Sequence, residues 1–315
     1  MPSWTRSADS ANELQGHDTS MEHSALSVAL LRQRLVSLLN AMPAAQAGDE
    51  ISVHQARVAS RRLREALPVL GGRADERALD QAEKRVRRIT RALGPVRELD
   101  VTLLLLAELE TKGSTPKRAI ARVRKAVLEE RQKRRSEMLE VITPTRLEKL
   151  RKRLVKVSSP ESHASAVPRN ALTEAAAQSS FRAKTLKAAI DRAGGIYLAD
   201  RLHRVRIEAK KLRYALEIQR ELSRSRATAG LTRLKTEQDL LGRMHDLEIL
   251  IDRARGAQSK LSPRDRIGMG ELNKLIRVLE DECREGHAVY MGSRPSLVKL
   301  CDGIIAAADP RSSAA

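Results

Sequence analysis

The chain has 315 residues, with 59 Lys and Arg against 40 Asp and Glu, a formal net charge of +19. Its length and a hydrophobic content of 41% suffice for two ordinary domains or one large one. A charge of this size speaks to partners and points to polyanions, but Trp4, Phe181 and three Tyr are too few rings for stacking single-stranded bases.

Helix patterns run almost throughout, and β-branched alternation between tight turns is nearly absent. After a polar, disordered lead (1–23), residues 25–42 predict an amphipathic helix that stops near Pro43 and Gly48. A second spans 53–70 and ends at Gly71-Gly72, and a third spans 75–93. Gly94-Pro95 is expected to stop the third and start a fourth, because proline suits a first helical position. A long basic helix over 117–140 and another over 145–157 complete a first helical bundle, 24–157. The Ser-, Pro- and Ala-rich stretch 158–171 has the composition of a linker. A second bundle covers 172–308, and the tail 309–315 is expected to be disordered.

The two halves repeat each other. HQARVASRRLREAL, from His54, recurs as HRVRIEAKKLRYAL, from His203, at an offset of 149 residues. Downstream, LGPVRELDV (93–101) recurs as LGRMHDLEI (241–249) at an offset of 148. A period this long indicates duplicated domains, not a solenoid of short repeats.

On a helix, positions i, i+3, i+7 and i+10 fall within an arc of roughly 80°. His54, Arg57, Arg61 and Arg64 therefore form one stripe, and His203, Arg206, Lys210 and Arg213 its counterpart. Beside each runs an apolar seam, Ala56, Ser60, Leu63 and Leu67 in one half and Val205, Ala209, Leu212 and Leu216 in the other. A basic helix face is ordinarily just a solvated one. Here Glu65 and Glu208 fall off the stripes, so the ladders lack the i,i+4 acids that relieve like-charge repulsion. That favours an external anion. Each histidine reads equally as a packed, hydrogen-bonded residue or as a phosphate donor, charged at lower pH. Glu98, Asp100, Asp246 and Glu248 sit where the second block is expected to start a helix, favourable for carboxylates. In the alternative, Glu98 and Asp246 orient ladder arginines, with Arg97 and His245 in the matching cationic position.

Other motifs carry less. His245-Asp246 resembles the metal-binding pair of helical HD phosphohydrolases, but its duplicate is Arg97-Glu98, and arginine cannot ligate a metal. No metal or cofactor is therefore expected. ELETK (108–112) matches an alternation that works on strands, whereas on a helix Glu108 and Glu110 diverge by about 200°. There is no phosphate-cradling glycine loop and no set of nucleophile, base and orienting group, so the chain is expected not to be an enzyme. No apolar run is long enough to span a membrane, the first residues lack a signal-peptide core, and Cys283 and Cys301 need not pair. These features predict a cytoplasmic protein.

The two repeated blocks resemble the CHAD family, the conserved histidine α-helical domain, over about residues 24–308. The resemblance implies an all-α fold of two helical bundles related by a pseudo-two-fold axis. It also implies a basic surface that binds inorganic polyphosphate and, in some members, association with polyphosphate granules or polyphosphate-metabolising enzymes. By matching positions, the binding residues are His54, Arg57, Arg61, Arg62, Arg64, His203, Arg206, Lys210, Lys211 and Arg213. Arg97 and His245 are added, with Arg87 and Lys235 as outer candidates. Two other readings stay open: a basic helical protein reading nucleic-acid backbone, with weak non-specific affinity, and a metal-dependent phosphohydrolase centred on His203, His245 and Asp246.

Overall fold

Apolar residues three and four apart organise the described segments of the chain into helix. The computed structural model describes residues 9–71, 76–113, 115–157, 171–226 and 228–308, with side chains from residue 25. Among the described residues there are nine helices and no strand: α1 (Asp9–Ala47), α2 (Glu50–Leu70), α3 (Glu76–Lys112), α4 (Lys117–Val141), α5 (Pro144–Val157), α6 (Ala171–Ala193), α7 (Ala199–Leu222), α8 (Ala229–Gln258) and α9 (Arg266–Ala307). The fold is all-α, as the periodicity predicts. The expected tail, residues 1–8 of the lead and nearly all of the expected linker lie outside the described residues. The rest of the lead differs from expectation, since α1 already begins at Asp9.

Local signals explain the ends of α2. Asp49 caps it by accepting from the Ser52 backbone N–H at 2.7 Å, and Gly71 closes it by donating to the Leu67 carbonyl at 3.0 Å. Before it, Gly48 turns the chain at φ +97, a conformation that favours glycine. Val53, Ala56, Leu63, Ala66 and Leu67 then form a fully buried seam. Truncating one of these leucines to alanine would cost about 2–5 kcal/mol.

Two expectations about α3 fail for one reason. Gly94-Pro95 neither ends the third helix nor starts a fourth, because α3 runs unbroken from Glu76 to Lys112. A proline inside a helix removes one backbone bond and pushes on the preceding turn. The carbonyl left without its helical donor is that of Arg91, and one residue before it the Arg57 guanidinium donates to the Thr90 carbonyl at 3.2 Å. The block from Leu93 to Val101 therefore lies mid-helix, as does its partner in α8, and the dipole explanation for their carboxylates does not hold. Asp100 instead lies fully buried against Arg131 Nε at 2.6 Å, Glu98 pairs with Arg253 at 3.4 Å, and Glu248 accepts from the Tyr197 hydroxyl.

The hydrophobic interior divides into three clusters. One is built mainly from α1, α2, the first half of α3 and α5, and another from α6, α7, the first half of α8 and the end of α9. The third lies between them and draws on both halves of the chain, through α3, α4, α8 and α9. The halves thus share a core. Salt bridges clamp them further: Arg34–Glu221 at 2.6 Å, Arg182–Glu65 at 3.2 Å and Arg243–Glu108 at 2.5 Å. Cys283 and Cys301 are buried, unpaired, and in different clusters.

Candidate anion site between the halves

Because α2 packs on α7 and α3 on α8, the two cationic ladders meet. Between these four helices lies a cavity of about 640 Å³. Eight Lys and Arg side chains line it against four carboxylates, Glu98, Glu108, Asp239 and Asp246. From α2 come His54, Arg57 and Arg61, from α3 Arg97, from α7 Arg206, Lys210 and Arg213, and from α8 His245. Eight of the twelve residues singled out in the sequence are therefore brought together.

The other four face elsewhere. Arg62 lies across from Glu217 at 3.1 Å, outside the cavity. Arg64 pairs with the buried Glu65 at 3.0 Å, and Lys211 with the buried Glu208 at 2.9 Å. These acids fall off the ladder stripes, and they hold cations that are likewise turned away. His203 stands behind His245, their Nδ1 atoms 3.1 Å apart, so one ring donates and the other accepts. Of the outer candidates, Lys235 lines the cavity and Arg87 does not.

The cavity's cations are poorly compensated. Arg57, Arg61, Arg97 and Lys210 have no ion pair within 4.0 Å among the described residues, and the Nε–H groups of Arg206 and Arg213 are buried without a hydrogen-bond partner. Asp246 comes only to 4.0 Å of Arg206, beyond hydrogen-bond range. Burial, reinforced by Arg206 and Arg61, brings the Lys210 ammonium down to about 7. Burial and Arg61 bring Arg57 to about 10, where it remains charged at neutral pH. These shifts measure positive charge held in a place that disfavours it. An anion would relieve that cost.

The histidines respond in the same direction. Burial and Arg97 depress His54, burial and Arg206 depress His203, and burial with Arg206 and His203 brings His245 to about 3. At neutral pH they are therefore uncharged N–H donors, not extra cations. Burial raises the Asp246 carboxyl despite Arg206 and Lys210 beside it.

Two lining residues escaped the sequence comparison. Arg243 occupies the position matched by Pro95, so the duplication gave no reason to select it; it holds Glu108 through two bonds of 2.5 and 2.8 Å and Glu282 at 2.7 Å. Tyr214 follows Arg213, whose guanidinium lies 5.3 Å from its ring. Glu110 turns away from Glu108 to meet Arg124 at 2.5 Å, so the ELETK carboxylates diverge as a helix requires. Among the described residues, no group of three or more His, Cys, Asp or Glu is placed to hold a metal ion, and no helix is long and apolar enough to cross a membrane.

Among curated protein sequences, none matches the chain. Solved structures do. The CHAD domain from the plant Ricinus communis is 21% identical with a TM-score of 0.59, over 84% of this chain and 91% of that one. PptA from Streptomyces chartreusis is 16% identical with a TM-score of 0.62, over 90% of this chain and 98% of that one. At these identities the likeness shows the fold alone. The sequence model of the CHAD domain matches residues 29–255, well over half of the chain. With the repeated His-headed ladders on α2 and α7, that match places the chain in the CHAD domain family.

Proposed function

We propose that the chain binds inorganic polyphosphate in the cavity between α2, α3, α7 and α8, and holds it without hydrolysing it. The observation that carries this reading is the convergence of both ladders on one recess, where Arg57, Arg61, Arg97, Lys210 and Lys235 have no ion pair within 4.0 Å among the described residues. His54, Arg57, Arg61, Arg97, Arg206, Lys210, Arg213 and His245 are the proposed contacts. Polyphosphate is a flexible chain of closely spaced negative charges without bases. It asks for forked, charge-assisted donors and not for aromatic platforms. Successive ladder cations stand about one 5.4 Å helical turn apart, a spacing that a flexible anion can follow. A recess between helices suits such a chain better than the broad side of a nucleic-acid duplex. The internal duplication supplies the two ladders, and it is supported by matching contacts: Arg57 lies against Gly94 as Arg206 lies against Gly242. Binding of this kind would also carry the protein to polyphosphate granules.

The test is a combined Arg57→Glu, Arg61→Glu, Arg206→Glu and Lys210→Glu variant, with circular dichroism as a check on folding. Polyphosphate retention at moderate salt should be lost. A folded variant that retains it unchanged would refute the site. Duplex DNA displacing polyphosphate at equal phosphate concentration would favour nucleic acid instead. Phosphate release with added Mg²⁺ or Mn²⁺, lost in His245→Ala, would establish hydrolysis.

A further inference from the structure

Among the described residues, two cavities of opposite character adjoin the central one. At His54 and Val58, which line both, it adjoins a second cavity of about 500 Å³ between α1, α2 and the C-terminal end of α7. Arg34, Arg62 and Arg220 line this one, with Glu217 and Glu221. At His245 and Ile249 the central cavity adjoins a third, of about 270 Å³, lined by Asp200, Glu248 and Asp252 and by no Lys or Arg.

We propose that the second cavity is a subsite receiving the continuation of a long polyphosphate chain that leaves the central cavity past His54. This rests on the polyphosphate reading of the central cavity. Arg34 is 8% exposed, its Nη2 bonds Glu221 at 2.6 Å, and its Nε has no partner. Arg62 pairs with Glu217 at 3.1 Å, and Arg220 has no ion pair within 4.0 Å among the described residues. Three guanidinium groups face two carboxylates around this space, which leaves the cavity net positive and attractive to a further anion.

Glu217 also approaches Arg213 of the central cavity, at 3.8 Å. One carboxylate thus stands between cations of both cavities, where a phosphate of a continuing chain would find the same donors. The third cavity offers three carboxylates and no cation, so it repels a polyanion. Of these two neighbours, the basic one is where a chain that outgrows the central cavity is steered.

The experiment compares tripolyphosphate with long-chain polyphosphate on wild type and on Arg220→Ser, by calorimetric titration at several salt concentrations. Arg220 is partly exposed and carries no salt bridge, so its loss spares the fold. In the variant, long-chain affinity should fall about tenfold, as for a lost bond to a charged group. Its salt slope should become shallower by about one counterion, and tripolyphosphate affinity should not change. Asp252→Asn, in the acidic cavity, should leave long-chain affinity unchanged. Equal losses for both lengths, no loss for either, or a gain in Asp252→Asn would overturn the subsite. A wild-type protein that binds neither length would overturn the reading of the central cavity itself.

Discussion

The Arg57 guanidinium fills the space that a side chain at residue 94 would need: its Nη1 lies 2.9 Å from where a Cβ on Gly94 would stand. The same nitrogen donates to the Thr90 carbonyl, so a ladder cation is fixed by the helix it crosses. At the matching position, the nearest atom to a Cβ on Gly242 is Arg206 Nε at 3.7 Å, an ordinary contact. Alanine at the two glycines should therefore act differently. Gly242→Ala should raise stability by up to ~1 kcal/mol through helix propensity and leave polyphosphate affinity alone. Gly94→Ala should displace Arg57, weaken binding several-fold and gain no stability, because the residue before a proline resists the helical conformation. Denaturant midpoints and titrations on both variants check this, and equal effects on binding would count against it.

Lys210 makes binding depend on pH. Its pKa of about 7 in the folded protein lies below its ordinary value, so between about pH 7 and 10 the unfolded chain binds more protons and stability of the anion-free protein rises with pH. Anion binding favours the charged ammonium, so affinity should fall across the same window, by at most about tenfold per pH unit for one proton. Calorimetry at pH 8 in buffers of different ionisation enthalpy should register proton uptake on binding. Lys210→Arg should keep binding and flatten the slope. A slope unchanged in that variant would assign it to another group.

The buried Asp100–Arg131 pair is structural. Asp100 is fully buried, and Arg131 also donates to the Gly48 carbonyl at 3.3 Å, tying α3 to α4 and to the turn before α2. Asp100→Asn leaves Arg131 only the more exposed Glu50, at 3.7 Å, and should cost about 3 kcal/mol, read as a lower urea midpoint. Polyphosphate affinity of the folded variant should not change, because neither residue lines the cavity.

Helix periodicity and the repeated blocks made the all-α fold and most of the cavity legible in the sequence, since ladder and seam positions follow from 3.6 residues per turn. Tertiary context set the rest. Gly94-Pro95 looks like a helix boundary by local rules, yet α3 runs through it with buried Leu93 and Val96 on either side, packing that no local rule registers. Arg64 looked like a ladder rung, and Lys211 like a binding residue by its matching position, until Glu65 and Glu208 were found buried beside them. Arg243 could not be selected by a comparison that matched it with Pro95. The core shared by α3, α4, α8 and α9 has no signature in either half alone.

Asp246 is the cavity's nearest counter-charge to Arg206, yet at 4.0 Å it makes no hydrogen bond with it, and burial holds its pKa up. A carboxylate in that position competes with an incoming phosphate for Arg206 and Lys210 while imperfectly compensating both. Asp246→Asn removes the competing charge and keeps the shape. Polyphosphate affinity should therefore rise by roughly three- to tenfold, on the order of 1 kcal/mol for a charge pair in a partly solvated site. The anion-free protein should lose no stability, because the raised pKa means that burial outweighs the attraction of Arg206 and Lys210 for the ionised carboxylate, and added polyphosphate should stabilise this variant more than wild type. Thermal denaturation with and without polyphosphate reads both effects in one experiment. If affinity falls instead, Asp246 orients Arg206 for the ligand, and its attraction for the cation outweighs its repulsion of the anion.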